Sequence, residues 1–257
     1  MKQLALDGAK KAGGVLLEGY SPLGAAKLKG RGHLVTKYDL ESERIIIEEI
    51  RKKHPDHNIL AEESGFAGRG SPYTWIIDPL DGTGNFTRGN PFFSISIALS
   101  YQKELLLGLV YVPVLNELYV AEKGRGAYLN DEPISVSPKG EVGTSFFVAC
   151  EGSEQDISRY VRLYSNIRPL SSEFRKLGSA AIECSWVASG RAEGYVTTKI
   201  NPWDIAAGIL LVEEAGGRVT DFEGKKWNFE QSDIIASNGK VHERLLGLVN
   251  DALLNSF

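Results

Sequence analysis

The order of the hydrophobic patterns predicts a mixed helix-and-sheet fold that becomes α/β in its second half. Two observations carry this. Across residues 94–129, four short segments rich in β-branched, aromatic and leucine residues follow one another with turn residues between some of them, the pattern of an antiparallel meander. Beyond Gly140, strand-like and helix-like segments alternate, as in α/β proteins.

The elements follow in order. Residues 3–20 carry Leu4, Ala9, Ala12 and Leu16 at helical spacing and are stopped by Ser21-Pro22. The Lys/Gly-rich stretch 27–32 predicts a flexible loop, and Leu34-Val35-Thr36 a short extended piece. Asp39 then precedes an amphipathic helix that turns Leu40, Ile46, Ile47 and Ile50 inward and ends near His54-Pro55. Residues 59–61 read as a strand with Glu62-Glu63-Ser64-Gly65 as its exit loop, and residues 73–77 as a buried strand. The meander places strands at 94–99, 105–111, 117–121 and 126–129, with turns at 113–116 and Asn130-Asp131. Pro138-Lys139-Gly140 is polar and turn-rich, which divides the chain into 1–138 and 139–257. After it come a strand at 145–149, a helix at 156–164, a small-residue helix at 178–189 and a strand at 195–197. Asn201 caps a helix whose first residue is Pro202 and which Gly216-Gly217 closes. A strand at 233–237 and a helix from about 240 to 254 complete the chain.

Composition narrows the function. The chain has 257 residues, 42% of them hydrophobic, enough for one large or two small cores. A net charge of -4 argues against a general nucleic-acid binder. It does not exclude an anionic substrate, because a bound metal inverts the sign of a site. Neither a secretory pattern nor an apolar run of membrane-spanning length is present, so a cytoplasmic location without membrane attachment is expected. Cys150 and Cys184 form no CxxC pair and read as free thiols; the four histidines make no zinc pattern.

The richest stretch is Trp75-Ile76-Ile77-Asp78-Pro79-Leu80-Asp81-Gly82-Thr83-Gly84-Asn85-Phe86. An apolar strand runs into two carboxylates on a backbone that Pro79 stiffens. Two acids this close repel unless a proton or cation lies between them, and a hard divalent cation suits oxygen ligands. The same acids also suit a turn and the cap of the next helix. Glu62-Glu63, Asp39 and Asp204 repeat this ambiguity: a metal-binding acid each, or a solvated loop, an N-cap and a partner of the helix dipole respectively.

Taken together, these segments resemble the inositol monophosphatases, lithium-sensitive, Mg²⁺-dependent phosphomonoesterases. The stretch from Trp75 to Phe86 is similar to the family's first signature, and Trp203-Asp204-Ile205-Ala206-Ala207-Gly208 with Glu214-Ala215-Gly216-Gly217 to its second. Ala61-Glu62-Glu63-Ser64, Leu34-Val35-Thr36-Lys37-Tyr38-Asp39 and Arg175-Lys176-Leu177-Gly178-Ser179-Ala180-Ala181 match its acidic loop, the segment before its second helix and its substrate-side loop. The matches occur in family order and cover nearly the whole chain.

The resemblance implies a layered αβαβα sandwich of the sugar phosphatase type, with an α+β N-terminal half and an α/β C-terminal half, assembled as a homodimer. Glu62, Asp78 and the Leu80 carbonyl would hold one Mg²⁺; Asp78, Asp81 and Asp204 a second; a third would lean on Glu62. Catalysis would fall to Glu62, Thr83 and Asp39: water near Glu62 is oriented by the Thr83 hydroxyl, which donates to Asp39. Asp81, Gly82, Thr83, Arg175, Gly178, Ser179, Ala180 and Asp204 would face a sugar or polyol phosphate, with the helix start at Gly82-Thr83 offering amides to the phosphate. Two positions depart from the family. Thr197 stands where many members carry a substrate-binding Glu, and Gly84 replaces the commoner Thr. The first departure keeps fructose 1,6-bisphosphate open as a substrate beside inositol 1-phosphate, with Lys29 and Arg175 available to a second phosphate. Phosphoadenosine phosphate hydrolysis and a regulatory role in association with transcription machinery remain the rival expectations.

Overall fold

The computed structural model describes residues 1–21, 36–152 and 157–254. The expected loop at 27–32 with Lys29, and Leu34-Val35, lie outside them. Among the described residues the strands form two sheets. The first runs β2 (Gly65–Ala67), β1 (Asn58–Ala61), β3 (Tyr73–Asp81), β4 (Ser94–Tyr101), β5 (Glu104–Val112), β6 (Glu117–Glu122), β7 (Ala127–Leu129), β8 (Glu132–Ile134). All its neighbours are antiparallel except β1 and β3. The second runs β10 (Glu173–Arg175), β9 (Phe146–Cys150), β11 (Gly194–Thr197), β13 (Ile234–Ser237), β12 (Arg218–Thr220). There β9 pairs in parallel with β10 and β11, and β13 antiparallel with β11 and β12.

Both sheets are buried on both faces, which is why their central strands read as nearly continuous apolar runs. On β3 and β4, Trp75, Ile77, Ile95, Ile97 and Leu99 point to one core, and Ile76 and Ala98 to another. The first core is closed by Leu4, Ala9, Ala12 and Leu16 of α1 (Lys2–Gly19) and by Ile46 and Ile50 of α2 (Lys37–Lys53). The second lies between the sheets and is filled by α5 (Ala180–Ala188) and α6 (Pro202–Glu214). These two helices are apolar nearly all round, as central helices must be. They pack tightly: a Cβ on Gly208 would come within 2.4 Å of Cys184 Cβ. The third core holds Phe147, Ala149, Val196 and Ile235 against Leu163 and Ile167 of α4 (Ile157–Ile167) and Leu245, Leu248 and Val249 of α7 (His242–Leu254). The layering is therefore helix, sheet, helix, sheet, helix, the αβαβα arrangement expected.

The differences from expectation are local. The strands that the patterning misses, β2, β8, β10 and β12, are the four sheet edges, three residues each. So short a segment shows no alternation, and an edge strand tolerates polar residues on its free side. In α2 the cap is Thr36 rather than Asp39, and Leu40 is 55% exposed, not inward. The inward face is instead Asp39, Glu43, Ile46 and Ile50. The strand ending in the two acids extends through Asp81 itself. Asp78 pairs with Ser96 and Asp81 with Ser94, so β3 carries an extra residue there. This bulge falls at Pro79-Leu80, where Pro has no N–H to give to a ladder.

Candidate metal centre and active-site cleft

The bulge decides where the acids point. Regular alternation sends residues three apart to opposite faces of a sheet; one extra residue returns them to the same side. Asp78 and Asp81 thus converge, and Asp204 joins them from the first turn of α6. Carboxylate oxygens of the three lie within 4.8 Å of one another. Glu62 enters beside them because its amide, donating to the Ile77 carbonyl (3.1 Å), carries the β1–β3 pairing one step further.

Each acid is held by its neighbours. Leu80 N donates to Asp78 Oδ1 (2.9 Å). Asp81 Oδ2 accepts from Ser179 Oγ (2.6 Å) and from Ala181 N (2.8 Å), at the N-terminus of α5. Asn201 N donates to Asp204 Oδ2 (3.0 Å), and Ser96 Oγ to the Trp203 carbonyl (3.1 Å), which locks the start of α6 against β4. Ser42 Oγ of α2 pins the Pro79 carbonyl (2.8 Å). The helix-cap role and the site role of Asp39 coexist. Its Oδ2 accepts from Thr36 N (2.8 Å) and Thr36 Oγ1 (2.6 Å), while Oδ1 lies 3.1 Å from Thr83 Oγ1. The Thr83 hydroxyl is also 3.1 Å from the Leu80 carbonyl.

Burial raises every carboxyl in the cluster, and repulsion from neighbouring acids adds to it at Asp78, Glu62 and Asp204. Burial drives Asp78 well above the ordinary range, with Glu62 next. Burial lifts Asp81 to about 6 and, together with the Asp81 charge, Asp204 to about 7. Glu62 is pushed up to about 8 by desolvation and by Asp204, although part of its side chain reaches solvent. Two unit charges 4.8 Å apart repel by roughly 3 kcal/mol even at an effective dielectric near 20. The set therefore ionises fully only around positive charge. Carboxylate and carbonyl oxygens are hard donors, fitted to Mg²⁺ or a similar cation rather than to a soft metal.

Beside the acids opens a cleft of about 210 Å³ lined by Asp81 and Asp204 together with Cys150, Glu151, Lys176 and Ala180. Its mixed walls come from different loops, closed against one another by Asn85. The Asn85 Nδ2 group donates to the carbonyls of Phe92 (2.6 Å) and Leu177 (2.8 Å). Gly82, at φ +90°, sits in this junction: a Cβ there would lie 2.9 Å from the Phe92 carbonyl.

Comparison with known proteins follows the same lines. The sequence profile described as the inositol monophosphatase family matches residues 1–254. The chain belongs to the inositol monophosphatase family. A fructose-1,6-bisphosphatase/inositol-1-monophosphatase of Thermotoga maritima is 44% identical over 227 residues, 88% of this chain and 86% of that protein. The Nus factor SuhB of Pasteurella multocida is 37% identical over 262 residues, 100% of this chain and 98% of that one. Among solved structures, an IMPase of Thermotoga maritima superposes with a TM-score of 0.90 at 39% identity, covering 99% of each chain.

Within this inositol monophosphatase fold the expected site residues separate into groups. Asp78, Asp81 and Asp204 come together, with Glu62, Thr83 and Asp39 adjoining them. Gly178 and Ala180 line the cleft. Ser179 is buried and spends its hydroxyl on Asp81, so it holds an acid rather than facing a substrate. Arg175 does not line the cleft: its guanidinium bonds Glu173 (3.2 Å) and lies over the Phe146 ring (5.9 Å). The cleft cation is the next residue, Lys176, paired with Glu151 (2.7 Å). Thr197 is fully buried, its Oγ1 2.9 Å from Cys150 Sγ, and so has no direct reach to a substrate. The helix after Gly82, α3 (Thr83–Thr87), has five residues, too short for a substantial dipole. Any anion contact there would come from single amides. Sequence reasoning missed Glu43 and Glu183, buried acids that bind loop amides. Their signal was a carboxylate at i+4 from Asp39 on the inward face of α2, and a lone charge in the otherwise apolar α5.

Proposed function

We propose that this chain hydrolyses phosphate monoesters of polyols with Mg²⁺, inositol 1-phosphate foremost, by direct attack of water. The observation that carries the reading is the convergence of Asp78, Asp81 and Asp204 within 4.8 Å beside an open cleft. Asp78, Asp81 and Asp204, with Glu62 and the Leu80 carbonyl, would hold the cations. Bound Mg²⁺ supplies polarised phosphate oxygens, a water of lowered pKa and charge neutralisation at the leaving oxygen. The protein contributes position. Were the Leu80 carbonyl taken up as a ligand, the Thr83 hydroxyl would donate its hydrogen bond to Asp39 and leave its lone pairs to orient the attacking water. Asp39 is held for that task by the two Thr36 bonds, and burial raises its pKa against opposing hydrogen bonds, those from Thr36 and Thr83 among them.

Lys176 favours a second reading of the substrate. It is a cation in the cleft, partly exposed and paired with an equally accessible Glu151. A bisphosphate could take Lys176 from Glu151, and the Thermotoga relative named as a fructose-1,6-bisphosphatase supports this as a second activity. Relatives named Nus factor SuhB support a regulatory binding role as the reading of another class. Phosphate release from inositol 1-phosphate, fructose 1,6-bisphosphate and phosphoadenosine phosphate, with and without Mg²⁺, separates these. Mg²⁺-dependent release from the first is expected. Release from none would defeat the phosphatase reading and favour the regulatory one.

A further inference from the structure

We propose that Glu43 and Glu183 are positioning residues that set two loop edges of the site: Glu43 the acidic loop carrying Glu62, and Glu183 the loop at Leu177-Gly178 that walls the cleft. The proposal rests on the phosphatase reading and adds two residues that touch neither the substrate nor the proposed cations. Both are buried, at 4% and 0% exposure, where a carboxylate persists only if something binds it. In each case the partner is a pair of consecutive loop amides.

The two clamps differ in how they use their oxygens. Glu43 uses both: Oε2 accepts from Glu63 N (2.9 Å) and Oε1 from Ser64 N (3.0 Å). Those amides adjoin Glu62, so the acidic loop is tied to α2, the helix that also presents Asp39. Glu183 uses one: Oε1 accepts from Leu177 N (2.6 Å) and Gly178 N (3.2 Å), while Oε2 has no partner among the described residues. The Leu177 carbonyl is gripped from the other side by Asn85, two residues after Thr83. From Ser179 onward the same segment holds Asp81. Glu183 thus joins the cleft wall to the helix that orients a proposed metal ligand.

This difference dictates opposite responses to the same substitution. In Glu43→Gln, one amide N–H meets the new NH₂, donor against donor, and the clamp loses half its grip. In Glu183→Gln, the carbonyl keeps both amides and the NH₂ occupies the place of the unused Oε2. Burial already pushes the Glu183 carboxyl up to about 8, so Gln resembles its neutral form.

The test combines hydrogen exchange on the wild-type protein with Mg²⁺ binding and kinetics on variants. In the wild type, the amides of Glu63, Ser64, Leu177 and Gly178 should exchange slowly although all four lie in loops; rapid exchange at all four would overturn the proposal without recourse to any variant. Glu43→Gln should raise the Mg²⁺ concentration that half-maximally shifts Tm by about tenfold, in line with supports of metal ligands, and leave KM at saturating Mg²⁺ unchanged. Glu183→Gln should match the wild type, whereas Glu183→Ala should raise KM several-fold at an unchanged Mg²⁺ midpoint. Equal Mg²⁺ response in Glu43→Gln, or equal damage from Glu183→Gln and Glu183→Ala, refutes the assignment. A wild type with slow exchange but no Mg²⁺-dependent turnover would instead count against the phosphatase reading alone.

Discussion

The acid cluster and the cleft beside it are built to different standards. Asp78 and Asp81 are at most 9% exposed, and their oxygens are bound by Leu80 N, Ser179 Oγ and Ala181 N. Lys176 and Glu151, in the cleft, are 40% and 34% exposed and bind each other. A reaction carried by fixed charge needs its groups held before the substrate arrives, because reorganisation would cost what the site is meant to supply. A leaving-group pocket has no such need; a partly solvated ion pair is weak and exchanges its partners readily. On the proposed phosphatase reading, the contrast separates what is done to a phosphate from whose phosphate it is.

The most severe way to break the metal side is Asp81→Asn. It removes one proposed charged ligand and leaves the fold its Ser179 and Ala181 contacts, so kcat should fall by about 10²-fold or more. Stability without metal should hold or rise, since a repelling charge is gone. Steady-state kinetics and a melting curve on one preparation check both; near-normal turnover would sink the role of Asp81.

Changing the cleft side should do less. Lys176→Ala should leave kcat for a monophosphate nearly intact and raise KM for a bisphosphate by about three- to tenfold, the worth of one partly screened charge. An equal effect on both substrates would show that Lys176 does not choose between them.

Acidity separates the two sides through stability alone. Asp81, Asp204 and Glu62 titrate near 6, 7 and 8 in the folded chain, above the ordinary carboxyl value near 4 that the unfolded chain retains. Between those values the folded state binds more protons, so stability without metal declines as pH rises from about 4 to about 8. Mg²⁺ should cancel the decline. A Tm measured in chelator that is flat across this range would contradict the repulsion inferred for the cluster.

How much of this was legible beforehand depends on whether the information is local. Asp78-Pro79-Leu80-Asp81 announces itself as two acids on a strand end that Pro79 stiffens; the bulge that brings both to one face emerges only from the register with β4. Asn201-Pro202 equally announces the helix that starts beside Asp204. That Asp204 meets Asp78 more than a hundred positions away is a product of stacking α6 on the first sheet, which no local pattern encodes. Arg175 and Lys176 illustrate parity: adjacent residues at a strand end face opposite ways, and a one-residue choice exchanges the cleft cation for a surface one. Glu43 and Glu183 were hidden because acids on an inward face read as exceptions until their amide partners are located. Thr197 reads as a substrate position by alignment with the second signature, yet packing turns it onto Cys150.

The central claim is that Asp78, Asp81 and Asp204 form a cation-dependent centre, and calorimetric titration of Mg²⁺ into the wild-type chain and into Asp78→Asn tests it most directly. Saturable binding to the wild type, weakened by about tenfold or more in the variant, is the result predicted for a lost central ligand. No binding to the wild type, or the same isotherm for both proteins, would contradict it.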